Sequence, residues 1–251
     1  MRDDSRALDA LRSVQIEPGF HRASEGSALY RAGGTVVLCT VSIDDRVPSF
    51  LEGKGRGWLT AEYQMHPRAN RKRQDRDGRG RPLGGRTQEI QRLIGRALRA
   101  AVDLDLIGER TVVVDCDVLE ADGGTRTASI TGGFIALALA LARVTEMYKL
   151  RPVLREPVAA ISVGYLEKSG VTLDLVYTED SSAQVDLNVV ATESGKIVEV
   201  QGTAEGEPIA RGLLDSMIDM GIGGVKTLAA IERATLTKVG VNLDTLLIRP
   251  R

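Results

Sequence analysis

Apolar and polar residues alternate along the first part of the chain. Val14 and Ile16, then Ala28 and Tyr30, lead into the run Thr35 to Ile43, and Gly33-Gly34 between the last two reads as a tight hairpin turn. Another strand is expected near Gly57 to Tyr63. From His66 to Gly85 apolar anchors nearly vanish, which predicts a long mobile loop of the kind that is usually functional or disordered. The period then changes. Ile90, Leu93, Ile94, Ala97, Leu98 and Ala101 recur at helical spacing, with Thr87 as the expected N-cap, Glu89 in the first turn, and Arg92, Arg96 and Arg99 on another face. A β-branched strand from Thr111 to Val118 follows, then a polar, glycine-rich turn, then a helix of small residues over about 128–146.

The stretch from Lys149 to Pro157 carries two prolines and few core residues, and reads as a link between halves at 1–148 and 149–251. The second half opens with a strand at Val158 to Tyr165 and a hairpin at Lys168-Ser169-Gly170. Strands are expected at 172–176, 184–192 and 196–202, with a turn at Ser194-Gly195. A helix runs from about Ala210, and Gly221 to Gly224 are expected to interrupt it. Each half runs strands first and helices after, so the pattern predicts an α+β fold built from a duplicated unit.

Composition adds little to this picture, but local charge adds much. No apolar run approaches the roughly 20 residues of a membrane span. The polar start does not read as a secretory signal. Cys39 and Cys116 lie in strand-like runs, with spacing that suits neither zinc nor a disulfide framework, so two buried thiols in a reducing cytoplasm are expected. The net charge of −1 hides a basic cluster. Arg68, Arg71, Lys72, Arg73, Arg76, Arg79, Arg81 and Arg86 are opposed locally only by Asp75 and Asp77. That density points to RNA or another polyanion, read through its backbone because no aromatic side chain interleaves.

Three constellations could carry chemistry. Asp122-Gly123-Gly124-Thr125-Arg126-Thr127 lies between a strand and a helix. Its glycines permit close approach, the helix N-terminus attracts anions, and the two threonines and Arg126 add donors. The residues alone allow an anion site and a plain capped turn equally. It is not a Walker P-loop, since G-x-x-x-x-G-K-[ST] is missing. Arg86 with the basic loop is the second. The third is acidic: Asp174, Glu179, Asp180 and Asp186, of which Asp180 and Asp186 converge if a turn near Ser181-Ser182 folds the chain. Taken singly, each reads as a turn-capping aspartate or glutamate. His21 and His66 have no nucleophile pattern beside them.

These motifs, taken together, resemble the ribonuclease PH family. The resemblance rests on Ile16-Glu17-Pro18-Gly19-Phe20, Glu25-Gly26-Ser27, Gly57 to Tyr63, Gly85 to Arg96, Asp115 to Leu119, Ala121 to Gly132, Glu179-Asp180-Ser181, Asp186 to Val190 and Glu199 to Gly206, in family order. It implies a fold of duplicated β-α-β units, ribosomal protein S5 domain 2-like, assembled as a homo-hexameric ring, a trimer of dimers. It implies a phosphate-dependent 3′-5′ exoribonuclease that trims precursor tRNA and other structured RNAs, releases nucleoside 5′-diphosphates, and runs in reverse. By the same resemblance Arg86, Gly124, Thr125 and Arg126 bind inorganic phosphate. Asp180 and Asp186 serve catalysis with Mg²⁺. Arg68, Arg71, Lys72, Arg73 and Arg76, with Arg92, Arg96 and Arg99, bind RNA. His66 and Gln184 depart from the family pattern, and the tail 238–251 is assigned no role. Three other readings stand beside this one: a non-catalytic RNA-binding ring subunit, a hydrolytic ribonuclease, and a basic structural protein.

Overall fold

A computed structural model describes residues 2 and 4–249. It holds two sheets and five α-helices among those residues. The first sheet comprises β1 (Val14–Pro18), β2 (Gly26–Ala32), β3 (Thr35–Asp44), β4 (Trp58–Met65) and β5 (Thr111–Glu120), in the order β1-β2-β3-β5-β4. Its strands are antiparallel except β4 and β5, which run parallel and are joined through α1 (Gly85–Ala101) and the short α2 (Leu104–Ile107). From β5 the chain enters α3 (Thr125–Tyr148).

The second sheet is antiparallel, in the order β7-β6-β8-β9, from β6 (Val158–Leu166), β7 (Gly170–Leu173), β8 (Val185–Thr192) and β9 (Ile197–Ala204). Between β7 and β8 lies the four-residue α4 (Tyr177–Asp180), and α5 (Arg211–Lys238) follows β9. The result is four layers. The first sheet packs on α1 and α3, α3 packs in turn on β6 of the second sheet, and α5 covers that sheet's far face.

This layering explains the composition of α3. A helix between two sheets has no solvent face, so it is apolar nearly all round, with Phe134, Ile135, Leu137 and Leu141 fully buried. It is long and apolar enough to cross a membrane, yet its apolar length is spent against the sheets. The core around it continues into the second half through Val158, Ala160 and Val190. The link 149–157 is also stitched in, by bridges from Leu154 to Val102 and Leu247.

Three local expectations are corrected. The helix α5 is continuous over 28 residues, although Gly221 and Gly224 were expected to break it. A Cβ on Gly221 would lie 2.6 Å from Val189 Cγ2, so this glycine lets the helix approach the sheet instead of ending it. The helix α1 starts at Gly85 with Gly84 as N-cap, so Thr87 is not the cap and Glu89 stands in the second turn. Asp77, from the basic loop, braces the residue before the helix: its Oδ2 accepts from the Gly84 N–H at 2.9 Å. Finally, β7 ends at Leu173 instead of reaching 176, because Asp174 turns the backbone to φ 54°.

Candidate active site

The parallel pair β4 and β5 fixes where the site lies. Both strands lead into helices, so the N-termini of α1 and α3 emerge at the same end of the first sheet. Two sets of free N–H groups and two positive dipole ends therefore face one region. Arg86 stands in the first turn of α1, exposed, and Arg126 in the first turn of α3. Neither first turn carries an acid. A cation at a helix N-terminus opposes the dipole, so these placements cost stability unless an anion binds.

The turn before α3 is built for close approach. Thr35 Oγ donates to the Gly123 carbonyl at 2.7 Å and accepts from the Asp122 N–H at 3.0 Å. Gly123 and Gly124 have φ of 77° and 64°, a region that side chains rarely adopt. A Cβ on Gly123 would lie 2.5 Å from the Leu175 carbonyl oxygen. The second half thus rests directly on the turn, and the Tyr177 N–H donates to Asp122 Oδ1 at 3.3 Å. This contact brings α4, and Asp180 at its end, to the start of α3.

Of the two threonines in the motif, only Thr125 remains available. Thr127, read from sequence as a further donor to the anion, is buried and donates back to the Gly124 carbonyl at 2.9 Å. The Thr125 hydroxyl lies 2.9 Å from the Tyr63 hydroxyl. Burial raises the Tyr63 pKa, while the Thr125 hydrogen bond and then Arg86 and Arg126 pull it down.

The structure sorts the four acids. Asp174 is buried against Arg12, which meets its carboxylate at 2.7 Å through both the backbone N–H and the guanidinium. Glu179 is held at 2.7 Å by Arg2. Both therefore anchor the N-terminal segment. Asp180 and Asp186 take no part in these ion pairs. Burial raises the Asp180 pKa, Asp186 raises it further, and Arg126 and Arg86 oppose the rise. The Asp180 carboxyl thus feels the Asp186 carboxyl and both guanidiniums. Asp186 lies in β8 opposite Gly164 and Thr203, and its Oδ1 is buried with no hydrogen-bond partner among the described residues.

Sequence reasoning gave no place in the site to three residues that lie beside these groups. Besides Tyr63, Gln201 Oε1 in β9 accepts from Arg126 Nη1 at 2.8 Å, and Gln201 Nε2 donates to Glu89 Oε1 at 2.8 Å. Glu89 also meets Arg126 Nη1 at 3.3 Å. Gln201 lies within the Glu199 to Gly206 motif, but nothing local marks one polar residue of an edge strand as a partner of a helix 75 residues earlier.

Arg68, Arg71, Lys72, Arg73 and Arg76 are all exposed on the loop 66–84. The loop's root is fixed: His66 N–H donates to the Val118 carbonyl at 2.8 Å, and Ala121 N–H to the Ala69 carbonyl at 3.0 Å. These bonds tie the arginines to the end of β5, next to the glycine turn. Arg73 pairs with the exposed Asp75. On α1, Arg92 is exposed, whereas Arg96 pairs with Glu199 at 3.0 Å. Arg99, grouped with the RNA-binding arginines from sequence, is half-buried and packed. It donates to the Leu59 carbonyl at 3.0 Å and lies 5.3 Å from the Trp58 ring centroid, because the sheet edge closes over the last turns of α1.

The fold defines an α+β protein that places two arginines in the first turns of two helices, within electrostatic reach of Asp180 and its neighbour Asp186. Residues 10–142 match the 3′ exoribonuclease family, domain 1, and residues 156–224 match domain 2 of the same family. Ribonuclease PH of Bacillus pumilus is 51% identical over 241 residues, covering 95% of this chain and 99% of that protein. Ribonuclease PH of a Geobacillus species is 48% identical over 245 residues, covering 97% and 96%. The fold is similar to the Archaeoglobus fulgidus exosome with RNA bound to the active site, with a TM-score of 0.76, 23% identity and 92% of each chain covered. An archaeal exosome core gives a TM-score of 0.71 at 21% identity, covering 92% of this chain and 90% of that one. The chain belongs to the 3′ exoribonuclease family, in its ribonuclease PH branch.

Proposed function

We propose that these residues line one cleft, and that it performs phosphate-dependent 3′-5′ exonucleolysis of RNA, with precursor tRNA as substrate. The carrying observation is the arrangement of Arg86 and Arg126, at two helix N-termini, opposite Asp180 and Asp186. Inorganic phosphate is held by Arg86, Arg126, the Thr125 hydroxyl and the free N–H groups that begin at Gly124. One of its oxygens attacks the last phosphodiester phosphorus. The bond to the 3′ oxygen breaks, that oxygen takes a proton, and a nucleoside 5′-diphosphate leaves. Because the phosphoanhydride is kept, the reaction runs in reverse from diphosphates. Most of the rate comes from positioning and charge neutralisation.

Asp180, whose pKa is raised by burial and by Asp186, is the group suited to keep a proton and deliver it to the leaving 3′ oxygen. The unpartnered Asp186 Oδ1 fits a divalent cation, although no cluster of three or more metal-ligating side chains exists among the described residues. Mg²⁺ is commonly held by one or two carboxylates and completed by substrate phosphate, so Asp186, beside Asp180, would hold it. When bound, it would neutralise charge on the scissile phosphate.

The exposed arginines at 68, 71, 73 and 76, with Lys72 and Arg92, would bind the RNA backbone leading into the cleft. We assign the chain to a homo-hexameric ring, a trimer of dimers, in a reducing cytoplasm that suits its buried, unbridged Cys39 and Cys116. Chromatography of the products from a 3′-extended RNA tests the reaction. Nucleoside diphosphates should appear only when phosphate is added. Monophosphates released without phosphate would replace phosphorolysis by hydrolysis.

A further inference from the structure

We propose that Gln201 and Glu89 are a positioning pair for Arg126, setting the free edge of its guanidinium against the incoming phosphate; this rests on the phosphate reading above. Three elements supply the three side chains: Glu89 comes from α1, Arg126 from α3 and Gln201 from β9. Arg126 Nη1 donates to both neighbours, at 2.8 Å to Gln201 Oε1 and 3.3 Å to Glu89 Oε1. The triangle closes through Gln201 Nε2, which donates to Glu89 Oε1 at 2.8 Å. Both hydrogens of Nη1 are thereby used. The Nε and Nη2 edge has no partner among the described residues, and that edge presents two parallel N–H donors, the fork that matches a phosphate.

The amide at 201 is suited to this task in a way an acid or an apolar residue is not. It accepts from a cation with one end and donates to a carboxylate with the other, so its orientation is dictated by its neighbours. It also links the two halves of the site. Gln201 stands opposite Asn188, two residues from Asp186 along β8, and paired residues share a face of the sheet. The side chain that holds the phosphate-binding arginine thus grows from the face that carries a candidate catalytic carboxylate. Glu199, two residues earlier on the same face, ties β9 to α1 again through Arg96. The distance between nucleophile and carboxylates is set across this seam.

The test is steady-state kinetics of RNA trimming with phosphate and RNA varied separately, on the intact chain. Gln201→Leu should raise the KM for phosphate about tenfold, as expected for loss of a hydrogen bond to a charged group, with the KM for RNA little changed. Gln201→Glu should raise it too, because two carboxylates would then face each other across the same short contact. The double variant Glu89→Gln/Gln201→Glu exchanges amide and carboxylate, restores one donor-acceptor pair, and should recover most of the loss. The proposal is overturned if Gln201→Leu and Gln201→Glu leave the phosphate KM unchanged, or if both KM values rise together and the exchange rescues neither. A wild-type protein that trims RNA without phosphate would instead remove the phosphate reading itself, which keeps the two failures apart.

Discussion

The Tyr63 hydroxyl lies 2.9 Å from that of Thr125, the first residue of α3. Tyr63 sits on β4 and Thr125 follows β5, so the contact spans the parallel pair at its carboxyl end. A phenol that donates here leaves the threonine proton free to point at a bound anion. Tyr63→Phe should therefore leave the fold intact and raise the KM for phosphate by about fivefold, the worth of one ordinary hydrogen bond. Unchanged phosphate kinetics would show that Thr125 orients itself.

Gly123→Ala meets two obstacles at once. Its φ is 77°, and the new methyl would stand 2.5 Å from the Leu175 carbonyl oxygen. Backbone strain of this kind costs about 1–3 kcal/mol before the clash is counted. The urea midpoint should fall, and turnover should fall further as α4 and Asp180 are pushed from Arg126. A variant as stable and as active as wild type would mean the turn can slide away from the second half.

Neutralising Arg68, Arg71, Arg73 and Arg76 together to Gln should weaken RNA binding and flatten its salt dependence. With roughly 0.7 released counterions per contact to single-stranded RNA, four contacts correspond to a change of about 3 in the log–log slope. RNA affinity titrated against salt measures this directly. An unaltered slope would make the loop a solvated surface.

Glu232 lies fully buried in α5, with neither carboxyl oxygen hydrogen-bonded among the described residues. Burial raises its pKa well above the ordinary value of 4.5, and Glu193 adds to the rise against the opposing pull of Arg233. The folded state thus holds this proton more tightly than the unfolded chain. Its contribution is full below the ordinary carboxylate range and is lost as pH rises through the raised value. Glu232→Gln should remove that loss, so the gap in Tm between variant and wild type should widen from pH 5 to pH 8. Parallel curves over that range would show that the carboxyl finds a partner.

Elements governed by their own residues were legible in the sequence. The Gly33-Gly34 hairpin, the apolar stripe of α1 and the strand-turn-helix around Gly123 all follow from local period and turn chemistry. What escaped was decided by partners distant along the chain. Gly221 reads as a breaker until Val189 is known to face it. Thr87 reads as a cap until the helix is seen to begin two residues earlier, where Asp77 from the loop holds the Gly84 N–H. Asp174, just past the end of β7, and Asp186, in β8, are the same residue type, and only the arrival of Arg12 makes one of them structural. Arg99 and Arg92 share a helix face, but only Arg99 meets an aromatic ring.

The N-terminal arginines carry a consequence for the chain during its synthesis. Arg2 binds Glu179, 177 residues later, and Arg12 binds Asp174. The first dozen residues thus leave the ribosome long before their partners exist, and contacts of such long range form late. The same delay holds for the cleft, which lacks Asp180, Asp186 and Gln201 until four-fifths of the chain is made. On the proposed reading, no RNA at the site of translation is cut until the second half has been made.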